Sequence, residues 1–127
     1  MGRVAVSQLL HDLCSQIRMA SRNSPDLALK VDADAGCKLS FDRAVPLMLF
    51  ALEAISDAAD RGGRKIGVRL KSQVHGCRLE IEDDGAAPGG LSDGAELMSA
   101  LAEQISGRFG FKPKTGESCT WLEFPGE

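Results

Sequence analysis

This 127-residue sequence predicts a two-layer α/β sandwich, in which one mostly antiparallel mixed sheet is covered on one face by three helices. Two observations carry that expectation. Lys65–Lys71 and Arg78–Glu82 alternate apolar and charged residues, the period of a strand with one buried face. Three other segments repeat apolar residues at helical spacing, and helix, strand, strand recurs three times along the chain. Helices that alternate with pairs of strands pack onto one face of a shared sheet.

In chain order, residues 5–22 read as a helix with Leu9, Leu10, Leu13, Ile17 and Met19 as its apolar positions, broken by Ser21-Arg22-Asn23-Ser24-Pro25. Leu27–Asp32 alternates and reads as a strand, and Cys37–Ser40 as a second, reached through a turn at Gly36. Phe41–Arg61 is the longest helix, with Asp42 in its first turn and Gly62-Gly63 past its end. The alternating pair Lys65–Lys71 and Arg78–Glu82 is joined by a turn at Val74-His75-Gly76 and forms an antiparallel hairpin. Gly85–Asp93 is a loop rich in Gly, Ala and Pro. A third helix, Ala95–Ile105, buries Leu97, Met98, Leu101 and Ile105, and Arg108–Lys112 with Ser118–Phe124 makes a last hairpin.

Composition narrows the function classes. Hydrophobic residues make up 43% and charged residues 26%, the balance of a globular protein with one core, and residues 1–127 read as a single domain. A net charge of −3 gives no attraction toward nucleic acid or an anionic membrane. No apolar run approaches ~20 residues, and the first residues lack an apolar signal core, so a cytoplasmic location without membrane contact is expected. Cys14, Cys37, Cys77 and Cys119 are scattered, with no C-x-x-C pair and no histidine placed to complete a zinc site, and read as buried reduced thiols.

The chemistry concentrates at Glu80-Ile81-Glu82-Asp83-Asp84-Gly85-Ala86-Ala87. A strand there ends in two aspartates and runs into small residues, which puts a carboxylate beside backbone that a ligand can approach. A purine amino group is a fitting donor to such a carboxylate. Upstream, the long helix carries Glu53 and Asp57 at i, i+4, with Asp60 on the same acidic face.

Taken with the opening helix at Leu9-Leu10-His11-Asp12-Leu13 and the closing Leu122-Glu123-Phe124-Pro125, these residues resemble the ATP-binding catalytic domain of sensor histidine kinases. That domain is the Bergerat fold of the GHKL ATPases, and the HWE-type kinases are the most similar group. The resemblance places the family's E-x-x-x-N motif on Glu53–Asp57, with aspartate where the family has asparagine. It places D-x-G-x-G on Asp83–Ala87, with Ala87 for the second glycine, and a lid glycine at Gly94.

The resemblance implies ATP and Mg2+ as cofactors. It implies that Asp83 accepts from adenine, that Gly85, Ala87 and Gly94 border the nucleotide, and that Asp57 holds the metal. Glu53 is implied as the catalytic residue that orients or deprotonates the incoming imidazole. The implied reaction is phosphoryl transfer from ATP to a histidine on a separate dimerisation segment, with a response regulator as onward partner and a homodimer as one assembly. Asp57, Asp60, Ala87 and a lid without cations depart from the pattern and imply weakened nucleotide affinity. The alternative is a non-catalytic module of the same fold that docks a response regulator or another signalling partner.

Overall fold

The computed structural model describes residues 2–20, 27–86, 93–114 and 116–126. Its elements run β1 (Arg3–Ala5), α1 (Val6–Ala20), β2 (Ala28–Ala33), β3 (Lys38–Ser40), α2 (Phe41–Asp60), β4 (Lys65–Gln73), β5 (Gly76–Asp83), α3 (Asp93–Gln104), β6 (Arg108–Lys114) and β7 (Glu117–Pro125). The break expected at Ser21–Pro25 and most of the loop after Gly85, including Ala87, fall outside the described residues.

The main sheet has five strands in the order β2-β4-β5-β7-β6. Among the described residues only β2 and β4 pair in parallel, because α2 crosses between them. The β4–β5 and β6–β7 neighbours are hairpins, and β5 pairs antiparallel with β7. The sandwich and its mixed, mostly antiparallel sheet are as expected. One strand is placed differently. Lys38–Ser40 leaves the main sheet and pairs antiparallel with Arg3–Ala5 in a separate ribbon, while Val6 N–H donates to the Cys37 carbonyl at 3.1 Å. Three residues are too few to give β1 a period of its own, so a helix starting at residue 5 absorbed its end.

Alternation along β4 and β5 puts Ile66, Val68, Leu70, Cys77, Leu79 and Ile81 into the core. There they meet Leu10 and Cys14 of α1, Leu47, Phe50, Ala54 and Ala58 of α2, and Met98 and Leu101 of α3. Burying side chains of this size contributes about 1.5–3 kcal/mol each, less the entropy of fixing them. Two expected core positions are exposed, Met19 at 65% and Leu97 at 46%. The inward stripes follow 6, 10, 14 and 98, 101, 102, 105, and both outliers lie off those faces.

The opposite face of the sheet is polar and self-neutralised. Lys71 and Arg78 flank Glu80 at 3.1 and 3.2 Å, and Arg78 lies 4.9 Å from the centre of the Trp121 ring. At the open edge, Arg18 donates Nε and Nη2 to the Leu29 carbonyl at 3.0 and 2.7 Å, covering part of the exposed strand. All four cysteines are buried and reduced, and burial together with the neighbouring Cys77 thiol pushes the Cys37 thiol up. Among the described residues no helix is long and apolar enough to cross a membrane.

Both α2 and α3 end in the same cap. At α3, Gly107 N–H donates to the Ala102 carbonyl at 2.8 Å and Ser106 N–H to Glu103 at 3.0 Å, with Ser106 at φ 58. A serine there carries the steric penalty of a left-handed residue. Ser106→Gly is therefore expected to raise stability by about 0.5–1 kcal/mol, measured by urea denaturation. Gly107→Ala should destabilise, since its Cβ would sit 2.8 Å from the Glu123 carbonyl oxygen.

Candidate functional site

The inward positions of β5 run 77, 79, 81 and then 83, so a carboxylate occupies the next core-facing place at the strand end. Asp83 is 2% exposed, and its side chain is fully buried. Its neighbour Asp84 points the other way. Its Oδ1 accepts the Arg64 and Lys65 backbone N–H groups at 2.7 and 3.0 Å, which fixes the turn into β4 and holds the Asp84 carboxyl below its usual range. Strand parity therefore sorts the two aspartates, Asp83 toward the helices and Asp84 to the turn.

A buried carboxylate needs partners, and here they come from the end of α2. Gly62 N–H donates to Ala59 and Gly63 N–H to Ala58, at 3.0 and 2.9 Å, with Gly62 at φ 87. This glycine cap makes Arg61 the C-cap residue, with its backbone N–H bonded to the Asp57 carbonyl at 3.0 Å. The guanidinium then lies between the helix and the strand. Nη1 donates to Asp83 Oδ1 and Nη2 to Oδ2, both at 3.1 Å, while Nε donates to Asp57 Oδ2 at 3.0 Å. Nη1 also donates to the Ala86 carbonyl. Burial works against the Arg61 charge, but hydrogen bonds and attraction from Asp83 and Asp57 push its pKa up. Asp83 Oδ1 takes a further bond from Gly85 N–H at 3.0 Å.

The structure thus brings Asp57 and Asp83 to one place through a shared arginine. Asp60 is exposed, and Asp57 and Glu53 are half-buried one turn apart, with Glu53 lacking a hydrogen-bond or ion-pair partner among the described residues. Gly85 lies against the α2 cap, where a Cβ would meet Gly63 N at 2.8 Å and the Arg61 carbonyl oxygen at 2.9 Å. Gly94 is the second residue of α3, and Ala87 lies outside the described residues. From the sequence, Arg61 reads either as a basic residue able to reach phosphate or as ordinary surface at the Gly62-Gly63 turn, and neither is the pairing observed. The available signal was its place four residues after Asp57, next to Gly-Gly, beside an otherwise all-acidic face.

Asp57 keeps Oδ1 free of the bonds described and Glu53 keeps its carboxylate, so the α2 end suits a hard cation that retains its own waters. No cluster of three or more ligating side chains exists among the described residues. Asp83 does not fit a purine amino group while Arg61 is in place, because both its oxygens are taken and no edge faces solvent. A cavity of about 310 Å³ at the same strand ends is lined by Lys30, Lys65, Gly67, Glu82, Asp83 and Asp84.

No family model and no curated protein matches the chain. Solved structures do. The blue-light activated histidine kinase EL346 of Erythrobacter litoralis superposes with a TM-score of 0.82 at 15% identity, over 96% of this chain and 45% of that one. The catalytic domain of the histidine kinase ThkA gives 0.84 at 9% identity, over 98% and 96%. The ATP-binding domain of PrrB from Mycobacterium tuberculosis gives 0.81 at 22% identity, over 98% and 96%. The chain spans less than half the length of the Erythrobacter kinase. At these identities the likeness establishes the fold. It is that of the histidine-kinase ATP-binding domains, the GHKL or Bergerat architecture.

Close backbone packing under Arg61 has a direct check. Gly85→Ala is expected to destabilise by about 1–3 kcal/mol through overpacking. Gly67→Ala, where an added Cβ meets nothing within 4 Å, should change stability by no more than about 0.5 kcal/mol in the same denaturation assay.

Proposed function

We propose that residues 1–127 form an ATP-binding domain of the histidine-kinase type that works in two-component signalling, with nucleotide affinity weakened by the Arg61 pair. The supporting observation is the convergence of a buried strand-end carboxylate, Asp83, with an acidic helix face, Glu53 and Asp57, in this fold. With Arg61 turned away, Asp83 is the acceptor for the adenine amino group, and Gly85, whose N–H donates to Asp83 Oδ1, borders it. Asp57 presents Mg2+ to the phosphates, with Gly94 at the start of α3, where backbone N–H groups favour anions.

When bound, ATP supplies the phosphoryl group and Mg2+ neutralises its charge. The chain's own share is positioning. Glu53, half-buried and unpartnered among the described residues, orients or deprotonates a histidine brought by a separate dimerisation segment. A response regulator then receives the phosphoryl group. In this reading the domain is cytoplasmic and makes no contact with nucleic acid or membrane.

A second reading is favoured by the saturation of Arg61 and Asp83 by one another. In it the domain keeps the shape, binds no nucleotide, and docks a response regulator or another signalling protein. Calorimetric titration of Mg-ATP separates the two. The first reading expects a dissociation constant between roughly 0.01 and 1 mM, whereas no heat at millimolar nucleotide selects the second.

A further inference from the structure

We propose that Arg61 is a built-in competitor that fills the base-binding place and also holds one oxygen of the cation-binding carboxylate. One guanidinium therefore decides whether a purine nucleotide enters. This inference rests on the reading of Asp83 as the base acceptor and adds the residue that controls it.

The geometry makes the two occupants mutually exclusive. A purine amino group must reach an oxygen of Asp83, and both oxygens already accept from the planar fork of Arg61, with Gly85 N–H also on Oδ1. The fork is well anchored. Of its five N–H donors, Nε serves Asp57, two of the Nη1 and Nη2 hydrogens serve Asp83, and a further Nη1 hydrogen serves the Ala86 carbonyl. The side chain is 12% exposed, so it is a seated group rather than a surface arginine that happens to lie nearby.

The backbone of Arg61 cannot yield, because the glycine cap and the Ala86 N–H bond to the Arg61 carbonyl, at 2.9 Å, hold it in place. Only the side chain can move. When it does, Asp57 and Asp83 are released together. A divalent cation on Asp57 competes with Nε for that carboxylate, so it loosens the fork and favours entry of the base. Nucleotide and cation binding are therefore positively coupled through Arg61.

The test is Mg-ADP binding to the parent chain, to Arg61→Ala and to Arg61→Gln, with folding checked by circular dichroism. Alongside it, the Arg61 Nε–H resonance of the parent is followed during the same titration, which keeps the test usable if a variant fails to fold. A folded variant should bind about tenfold or more tighter than the parent, since the displaced pair is buried and hydrogen-bonded. Binding by a variant where the parent binds nothing supports the inference and favours the docking reading of the parent. In a parent that binds, the Nε–H signal should shift with the binding midpoint, at a lower midpoint with Mg2+ than without it.

Folded variants that bind no tighter than a binding parent overturn the inference and leave the functional reading standing. So does an Nε–H signal unmoved in the nucleotide-bound parent. Absence of binding across the whole set overturns both.

Discussion

A buried carboxylate at the end of a strand must be answered by a charge, and in this protein the answer comes from the end of a helix. Asp83 takes a core-facing place that the alternation of β5 would otherwise give to an apolar side chain. Leaving it unpaired there would cost several kcal/mol. Arg61 removes that cost with a two-pronged pair and extends to Asp57, which ties the C-terminus of α2 to the sheet. The glycines at 63 and 85 follow from this constraint, because the turn and the loop after β5 must approach with no side chain between them, whereas Gly62 answers to its positive φ.

The same interaction sets the character of the site. The fold presents a strand-end carboxylate opposite an acidic helix, an arrangement that suits a base at one end and a cation at the other. On the proposed reading, the protein's own guanidinium fills the first and holds one oxygen of the second. Arg61 offsets part of the acidic charge where α2 meets the sheet, through Asp57 and Asp83, while Asp60 stays exposed. On the proposed reading, stability and ligand affinity are set in opposition at this one residue.

Much of this was legible in the sequence, for identifiable reasons. The hairpin of β4 and β5 showed because strict alternation over several residues has one structural reading, and continuing that period by one step assigns Asp83 to the inside. Gly62-Gly63 marked the end of α2 because glycine enters the left-handed cap without the steric penalty other residues carry. The ribbon of β1 and β3 was hidden by its three-residue strands. The exposure of Met19 and Leu97 was hidden because a hydrophobic residue adjacent to a helical stripe is indistinguishable from one within it. Arg61 was the larger omission. An arginine beside a glycine turn reads as solvent-facing, and what draws it inward is Asp83, more than twenty residues away and placed by the sheet.

The most direct measurement is the coupling energy of Arg61 and Asp83 in a double-mutant cycle, with Arg61→Ala, Asp83→Ala and the pair compared by equilibrium denaturation. A seated, buried pair gives single replacements that each cost about 3–5 kcal/mol and a double replacement that costs little more than either. A coupling below about 0.5 kcal/mol, the value of an exposed ion pair, would contradict the account, because the guanidinium would then not be held against the carboxylate in solution.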